Sequence, residues 1–139
     1  MKALLDTCVL SELQKTNGCV SVQDFVKALP THDIFISAIA LGEIAKGVAL
    51  LAEGNRKRGL LLWLSGLESG YKQNILTIDA NVARIWGEIT AQAQQQGCQV
   101  SVGDGLIAAT ALYHGLHVIT RNVKDFAPTG ARIINPWAE

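Results

Sequence analysis

Four short apolar segments, each followed by a helical pattern, constrain the fold of this 139-residue chain more than any other feature. Each segment is rich in the aliphatic and β-branched residues that favour strands. They are Lys2–Leu5, Ile34–Ile36, Ile75–Ile78 and His117–Thr120, and Arg132–Ile134 predicts a fifth strand at the edge of the sheet. Strands that alternate with helices form a parallel sheet covered on both faces. The sequence therefore predicts a three-layer α/β/α fold with a central, mainly parallel sheet of four to five strands.

The segments between the strands carry the apolar spacing and the capping residues of helices. Ser37 and Asp79 lie where a helix would begin with a side-chain cap, and Ser21 begins a sequence that resembles a capping box. The predicted helices are Val9–Leu13, Ser21 to Pro30, Ser37 to about Glu53, Arg56–Leu67, Asp79 to near Gly97 and Gly103–His114. A chain of this length is enough for one core, so we expect a single domain over residues 1–139.

Composition excludes several classes of protein. Lys and Arg together number 12, as do Asp and Glu, so no overall charge favours a protein that coats nucleic acid. Three cysteines without a CxxC pair are typical of reduced thiols in a cytoplasmic protein. No apolar run reaches the ~18 residues that span a bilayer, and the apolar run before Asp6 is too short for a signal peptide. We expect a cytoplasmic protein with no membrane partner.

Acidic and amide side chains follow the predicted strands, at the edge where parallel sheets bind ligands. Asp6 comes directly after the first strand, and Asn122 and Asp125 follow the fourth. Asp104 lies near the start of an apolar helix, and Glu43 lies well inside another. Each of these acids alone could be a helix cap, a favourable charge in a first turn or a solvent-facing side chain.

A cluster of these acids would predict a metal site. Two carboxylates ~4 Å apart repel each other by about 4 kcal/mol at an effective dielectric of ~20, so such a cluster stays ionised only beside cations. Ligation by oxygen alone favours Mg²⁺ or Mn²⁺ over zinc. A metal held in this way can activate water for attack on a phosphodiester. Asp79 is set apart from this cluster, because it opens a clear amphipathic helix and is best explained as its N-cap.

Four segments, taken together, resemble the PIN-domain family, and more narrowly the VapC and FitB toxins of type II toxin–antitoxin modules. In chain order they read LLDTCVLSEL, SAIALGEIAKGV, DGLIAATAL and TRNVKDFAPTG, and the likeness extends to the closing INPW at Ile134–Trp137. The resemblance implies a single PIN-like nuclease domain that cleaves RNA as a metal-dependent endoribonuclease, with Mg²⁺ as cofactor and Mn²⁺ possible. It also implies a homodimer held inactive by a cognate antitoxin, with operator DNA bound only through the antitoxin complex.

The resemblance also implies roles for individual residues of this chain. It implies Asp6, Glu43 and Asp104 as catalytic metal ligands, Asp125 as a fourth catalytic acid, and Thr7 and Asn122 as supporting polar groups.

Two positions depart from the family's pattern. Cys8 stands where relatives typically have Asn, and Asn122 stands where many relatives have an acid. A thiol bonds Mg²⁺ and hydrogen-bond partners weakly, so Cys8 could loosen the surroundings of Asp6, favour a softer ion, or be a tolerated variation.

Two alternative functions share features with this sequence. A haloacid-dehalogenase-like phosphatase also has Asp after its first strand, but it needs a second Asp at the position of Cys8. The non-enzyme alternative is a degenerate PIN fold that binds RNA, or an antitoxin and DNA, without cutting; Cys8 and Asn122 favour it.

Partner surfaces are suggested by an apolar helix pair and by scattered basic residues. The run Leu60–Leu64 is apolar around more than one helical face, so we expect an association surface unless the helices from Ala38 to Leu67 pack on each other. An antitoxin on this surface could insert an arginine among the acids. Basic residues that could track RNA phosphates, or simply be solvated, are Lys46, Arg56, Lys57, Arg58, Arg84 and Arg121.

Overall fold

The structure, a computed structural model, describes residues 1–137 and contains a five-stranded sheet. The strands are β1 (Ala3–Leu5), β2 (Ile34–Ser37), β3 (Ile75–Leu76), β4 (His117–Ile119) and β5 (Ile133–Ile134). They lie in the order β3-β2-β1-β4-β5, and all four neighbouring pairs are parallel. The predicted parallel sheet and its fifth strand at the edge are confirmed, with β1 at the centre.

Helices cover both faces of this sheet. They are α1 (Thr7–Leu13), α2 (Val20–Lys27), α3 (Ala38–Ala49), α4 (Asn55–Gly70), α5 (Ala80–Gln95), α6 (Val102–His114) and α7 (Val123–Phe126). Ala3 and Leu5 of β1 pack into the core beneath α1 to α4, whereas Leu4 packs into the core that holds α6 and α7. This alternation produces the predicted three layers, because successive strand side chains point to opposite faces. Over residues 1–137, no helix has both the length and the apolar character needed to cross a membrane.

Four predicted helix starts differ from the structure by one or two residues, and at two of them a side chain has a different partner from the one predicted. The first helix begins at Thr7 rather than Val9, since the Asp6 carboxylate accepts a hydrogen bond from the Thr7 backbone N–H and caps it. The helix predicted from Ser21 begins at Val20. Cys19, rather than Ser21, is the N-cap residue of this helix. The Ser21 hydroxyl instead donates to the Pro136 carbonyl at 2.9 Å.

Two other predicted ends also differ. The third strand stops at Leu76 rather than Ile78, because its partner β2 ends at Ser37, which pairs with Leu76 and caps α3. The helix predicted to reach Glu53 stops at Ala49, and Leu51 instead lines a groove together with Trp63 of α4. Packing overrides propensity here, since every residue from Leu50 to Glu53 is a good helix former.

Close packing between α5 and α6 fixes the position of the first turn of α6. A Cβ on Gly105 would lie 2.8 Å from Cδ1 and 2.9 Å from Nε1 of Trp86, so only glycine allows this approach. Ser101 caps α6 by accepting from the Asp104 backbone N–H at 3.2 Å. Asp104 is therefore held on a rigid helix start rather than on a loop.

The leucine-rich run of α4 is divided between core and surface, as its pattern predicts. Leu64 is buried, but Leu62 is 76% exposed and Leu61 is also exposed. Leu50, at the end of α3, is 78% exposed.

Candidate functional site

Asp6 lies at the carboxyl end of the central strand and is only 3% exposed. Its Oδ1 accepts from the Thr7 backbone N–H at 2.8 Å. Its Oδ2 accepts from the Thr120 hydroxyl at 2.7 Å and lies 3.6 Å from the Cys8 sulfur. Asp6 is thus both a helix cap and a buried carboxylate whose orientation is fixed by donors from two strand ends.

The Thr120 hydroxyl connects the ends of β1 and β4. It is buried, donates to Asp6, and accepts from the Asn122 backbone N–H at 3.0 Å. Asn122 therefore supports the site through its backbone, whereas the sequence suggested its side chain.

Cys8 fills the space between these groups rather than loosening it. Its sulfur lies 3.5 Å from the Thr120 hydroxyl and accepts from the Arg121 backbone N–H at 3.5 Å. Burial raises the pKa of the Cys8 thiol, so the thiol stays protonated and can donate to Asp6. Cys8 is thus a second residue, after Thr120, whose contacts join the ends of β1 and β4.

Glu43 is exposed on α3, yet it is held beside the other acids. The Thr7 hydroxyl donates to Glu43 Oε1 at 2.7 Å. A Cβ on Gly103 would lie 2.7 Å from Glu43 Oε2, so α6 begins directly against this carboxylate. The Glu43 side chain is therefore exposed to solvent and also in contact with Thr7 and the start of α6.

Asp104 lies in the electrostatic field of the other three acids. Burial raises the pKa of Asp104, and the negative charges of Asp6, Asp125 and Glu43 raise it further, while a hydrogen bond with Ser101 opposes them. The four predicted acids thus share one neighbourhood at the carboxyl end of the sheet. Asp125 is exposed in the short helix α7. Asp79 lies after β3 and caps α5 by accepting from the Val82 N–H, as predicted.

The donor set of this site fits a hard cation by its chemistry. Its ligating atoms are carboxylate oxygens, which Mg²⁺ and Mn²⁺ prefer. Burial is the largest cause of the raised pKa of Asp104, and the smaller contribution of the neighbouring carboxylates is a repulsion that a bound cation relieves. Within residues 1–137, however, no three His, Cys, Asp or Glu side chains are arranged to hold one ion. The acids would have to move closer together to bind it.

We expect Asp104→Asn to stabilise the metal-free protein at neutral pH. An acid whose pKa is raised by folding favours the native state when protonated, and that advantage is lost as pH rises through the folded pKa. The variant should therefore gain stability at pH 7, by less than about 1 kcal/mol because the group is partly exposed. The gain should vanish below about pH 4, where the parent carboxyl is also neutral. Urea unfolding in EDTA across this range measures it.

Glu88→Gln, on the exposed surface of α5, is the matched control for that experiment. An equal gain in both variants, or a gain that grows at low pH, would show that the charges of Asp6, Glu43 and Asp125 do not act on Asp104.

Sequence reasoning missed two residues of the site. Thr120 lies at the end of a predicted strand and carries no carboxylate, so the pattern of acids does not indicate it; its place two residues before Asn122 is the available signal. Gly103 carries no chemistry of its own, and nothing in the sequence indicates that its missing side chain leaves room for Glu43.

Comparisons with known proteins agree with this geometry. Toxin FitB of Neisseria gonorrhoeae is 36% identical over 135 residues, which cover 96% of this chain and 97% of that protein. VapC ribonuclease Y4jK of Sinorhizobium fredii is 34% identical over 135 residues, 96% of each protein.

A solved structure has the same fold. The structure of FitAB bound to an IR36 DNA fragment contains a chain that matches this one with a TM-score of 0.92 at 33% identity, covering 99% of this chain and 96% of that chain. The model of the PIN domain matches residues 3–130. The four acids and their supporting hydroxyls all lie within that range, and the chain belongs to the PIN domain family.

Proposed function

We propose that this protein is a divalent-metal-dependent endoribonuclease that acts as the toxin of a toxin–antitoxin pair. The observation that carries the proposal is that Asp6, Glu43 and Asp104 lie together at one sheet edge. Thr7, next to Asp6, donates to Glu43 at 2.7 Å, and a Cβ on Gly103, next to Asp104, would lie 2.7 Å from the same carboxylate. The similarity to a VapC ribonuclease and to Toxin FitB supports the choice of RNA as substrate and of toxin as role.

In this proposal, Asp6, Glu43 and Asp104 hold Mg²⁺ or Mn²⁺. The bound ion would supply an activated water and neutralise charge on the leaving oxygen of the phosphodiester. Thr120, Cys8 and the Thr7 N–H fix the orientation of Asp6 by the hydrogen bonds described above. Asp125 is the further acid that can orient the water or accept its proton.

The proposed partners are a cognate antitoxin and a second copy of the chain. The structure of FitAB bound to DNA supports an assembly that reaches operator DNA through the antitoxin. Leu61 and Leu62, adjacent in α4 and both exposed, support association, because burial of their apolar side chains in an interface would be favourable. Residues 1–139 form one domain in this proposal, and it acts in the cytoplasm, where RNA is available and the three free cysteines stay reduced. Light scattering that gives the mass of a monomer would exclude the homodimer.

Cleavage of single-stranded RNA by the purified protein tests the enzymatic proposal. We expect cutting with Mg²⁺ or Mn²⁺ and its loss in EDTA, because the carboxylates cannot activate water without a cation. Readdition of the metal in excess should restore it. Binding of RNA without cutting under every metal condition would favour the degenerate binding module instead.

A further inference from the structure

We propose that Arg121, stacked on Trp137, binds a backbone phosphate of single-stranded RNA beside Asp6. This inference rests on the proposed function, and it assigns a role to the closing INPW segment that the catalytic site leaves unused.

The closing segment is anchored to the body of the protein. The Ser21 hydroxyl at the start of α2 donates to the Pro136 carbonyl at 2.9 Å, and the Trp137 backbone N–H donates to Asn135 Oδ1 at 2.9 Å. Pro136 is buried, and Trp137 is half-buried against the core beneath α1 to α4. The Trp137 indole ring is therefore held in a fixed position.

Arg121 directly follows Thr120, and its side chain lies over the Trp137 ring. Its guanidinium carbon is 5.3 Å from the centre of the Trp137 ring, within the range of a cation–π contact. Its backbone N–H donates to Cys8, whose sulfur contacts Asp6. The side chain is exposed, and within residues 1–137 it forms no ion pair. The backbone of Arg121 is thus linked to Asp6 through Cys8, and among residues 1–137 no side-chain hydrogen bond occupies its guanidinium.

Three other basic residues contact neighbours in sequence, whereas Lys46 and Arg56 are exposed like Arg121 but have no cation–π contact among residues 1–137. Lys57 pairs with Glu53 at 2.8 Å, Arg58 donates to Asn55, and Arg84 donates to Asn81. Each of these contacts is local, as expected of solvated charges on a helix surface. Arg132 donates to the Gly115 carbonyl, at the opposite, amino end of the sheet.

The charge of the site explains why RNA would need such a cation. Four carboxylates repel an approaching phosphate chain, and a fixed positive charge at their edge offsets this repulsion. The planar guanidinium fork matches the geometry of phosphate oxygens. Stacking on Trp137 orients the guanidinium in advance, so less side-chain entropy is lost when RNA binds.

Binding of a fluorescein-labelled single-stranded RNA in EDTA, followed by anisotropy at several salt concentrations, tests this role. Arg121→Gln should weaken binding about tenfold, and it should reduce the slope of log K against log salt by about 0.7, the loss of one phosphate contact. Arg121→Lys should keep the slope but bind more weakly than the parent. Arg132→Gln is the matched control and should change neither quantity.

A double-mutant cycle separates the role of Trp137 from general stability. Trp137→Leu should weaken RNA binding in the parent and have no further effect in the Arg121→Gln background. With Mg²⁺, Arg121→Gln should raise KM for RNA and leave kcat largely unchanged.

Two results would overturn the inference, and they differ from a failure of the proposed function. If the parent cuts RNA but Arg121→Gln has an unchanged salt slope and only a lower Tm, the stacked pair merely clamps the end of the chain. If Trp137→Leu weakens binding equally in both backgrounds, the ring does not act through Arg121. A parent that neither binds nor cuts RNA would instead overturn the proposed function, and this inference with it.

Discussion

Asp6→Asn is expected to lower RNA cleavage by about a thousandfold or more while leaving the fold intact. Loss of a metal-binding charge removes several kcal/mol of transition-state stabilisation, and about 4 kcal/mol corresponds to that factor. The amide oxygen of Asn caps a helix as well as Asp does, so α1 should still begin at Thr7. Single-turnover cleavage at saturating Mg²⁺ measures the loss, and circular dichroism verifies the fold.

Asp24→Asn serves as the control, since it removes a carboxylate from the exposed surface of α2. Equal rates in the two variants would show that Asp6 is only a helix cap.

Thr120→Val is expected to have the second-largest effect, and it should act on stability and activity together. Valine has nearly the shape of threonine but leaves Asp6 Oδ2 and the Asn122 N–H without the hydroxyl that joins them. A lost hydrogen bond to a buried charge costs about 1.5–3 kcal/mol of unfolding free energy. Cleavage should fall about 10–100-fold, as is usual when the group that orients a metal ligand is removed. Urea unfolding and cleavage rates measure the two losses.

Thr120→Ser keeps the hydroxyl and removes only a methyl group, so it should retain most of the activity. If Thr120→Ser is as inactive as Thr120→Val, packing of the methyl group matters more than the hydrogen bond, and Thr120 does not orient Asp6.

The parallel sheet could be predicted because its strands are buried on both faces, which leaves an unmistakable apolar run such as Ala3–Leu5. The ends of elements were less predictable, since they depend on contacts between distant segments. Ser37 ends β2 and starts α3, and that single residue also decides how far β3 can pair. Leu51 leaves the helix for a groove beside Trp63, which no local propensity indicates.

The candidate acids could be named from their chemistry and their positions after strands, and the family resemblance selected among them. The groups that orient them could not. Thr120 is 114 residues from Asp6, and Cys8 is a thiol rather than an oxygen ligand, yet both contact the same carboxylate oxygen. A pattern search finds ligands by type, whereas an orienting residue is recognised only by what it touches.

The position of β1 between β2 and β4 has a consequence for the protein while it is being made. On the ribosome, Asp6, Glu43 and Asp104 are all synthesised before Thr120, and β1 can pair with β2 while β4 does not yet exist. A nascent chain at that stage carries every proposed metal ligand, but its first carboxylate still lacks the hydroxyl that orients it. The Thr120 hydroxyl can therefore orient Asp6 only after β4 has been synthesised and has paired with β1.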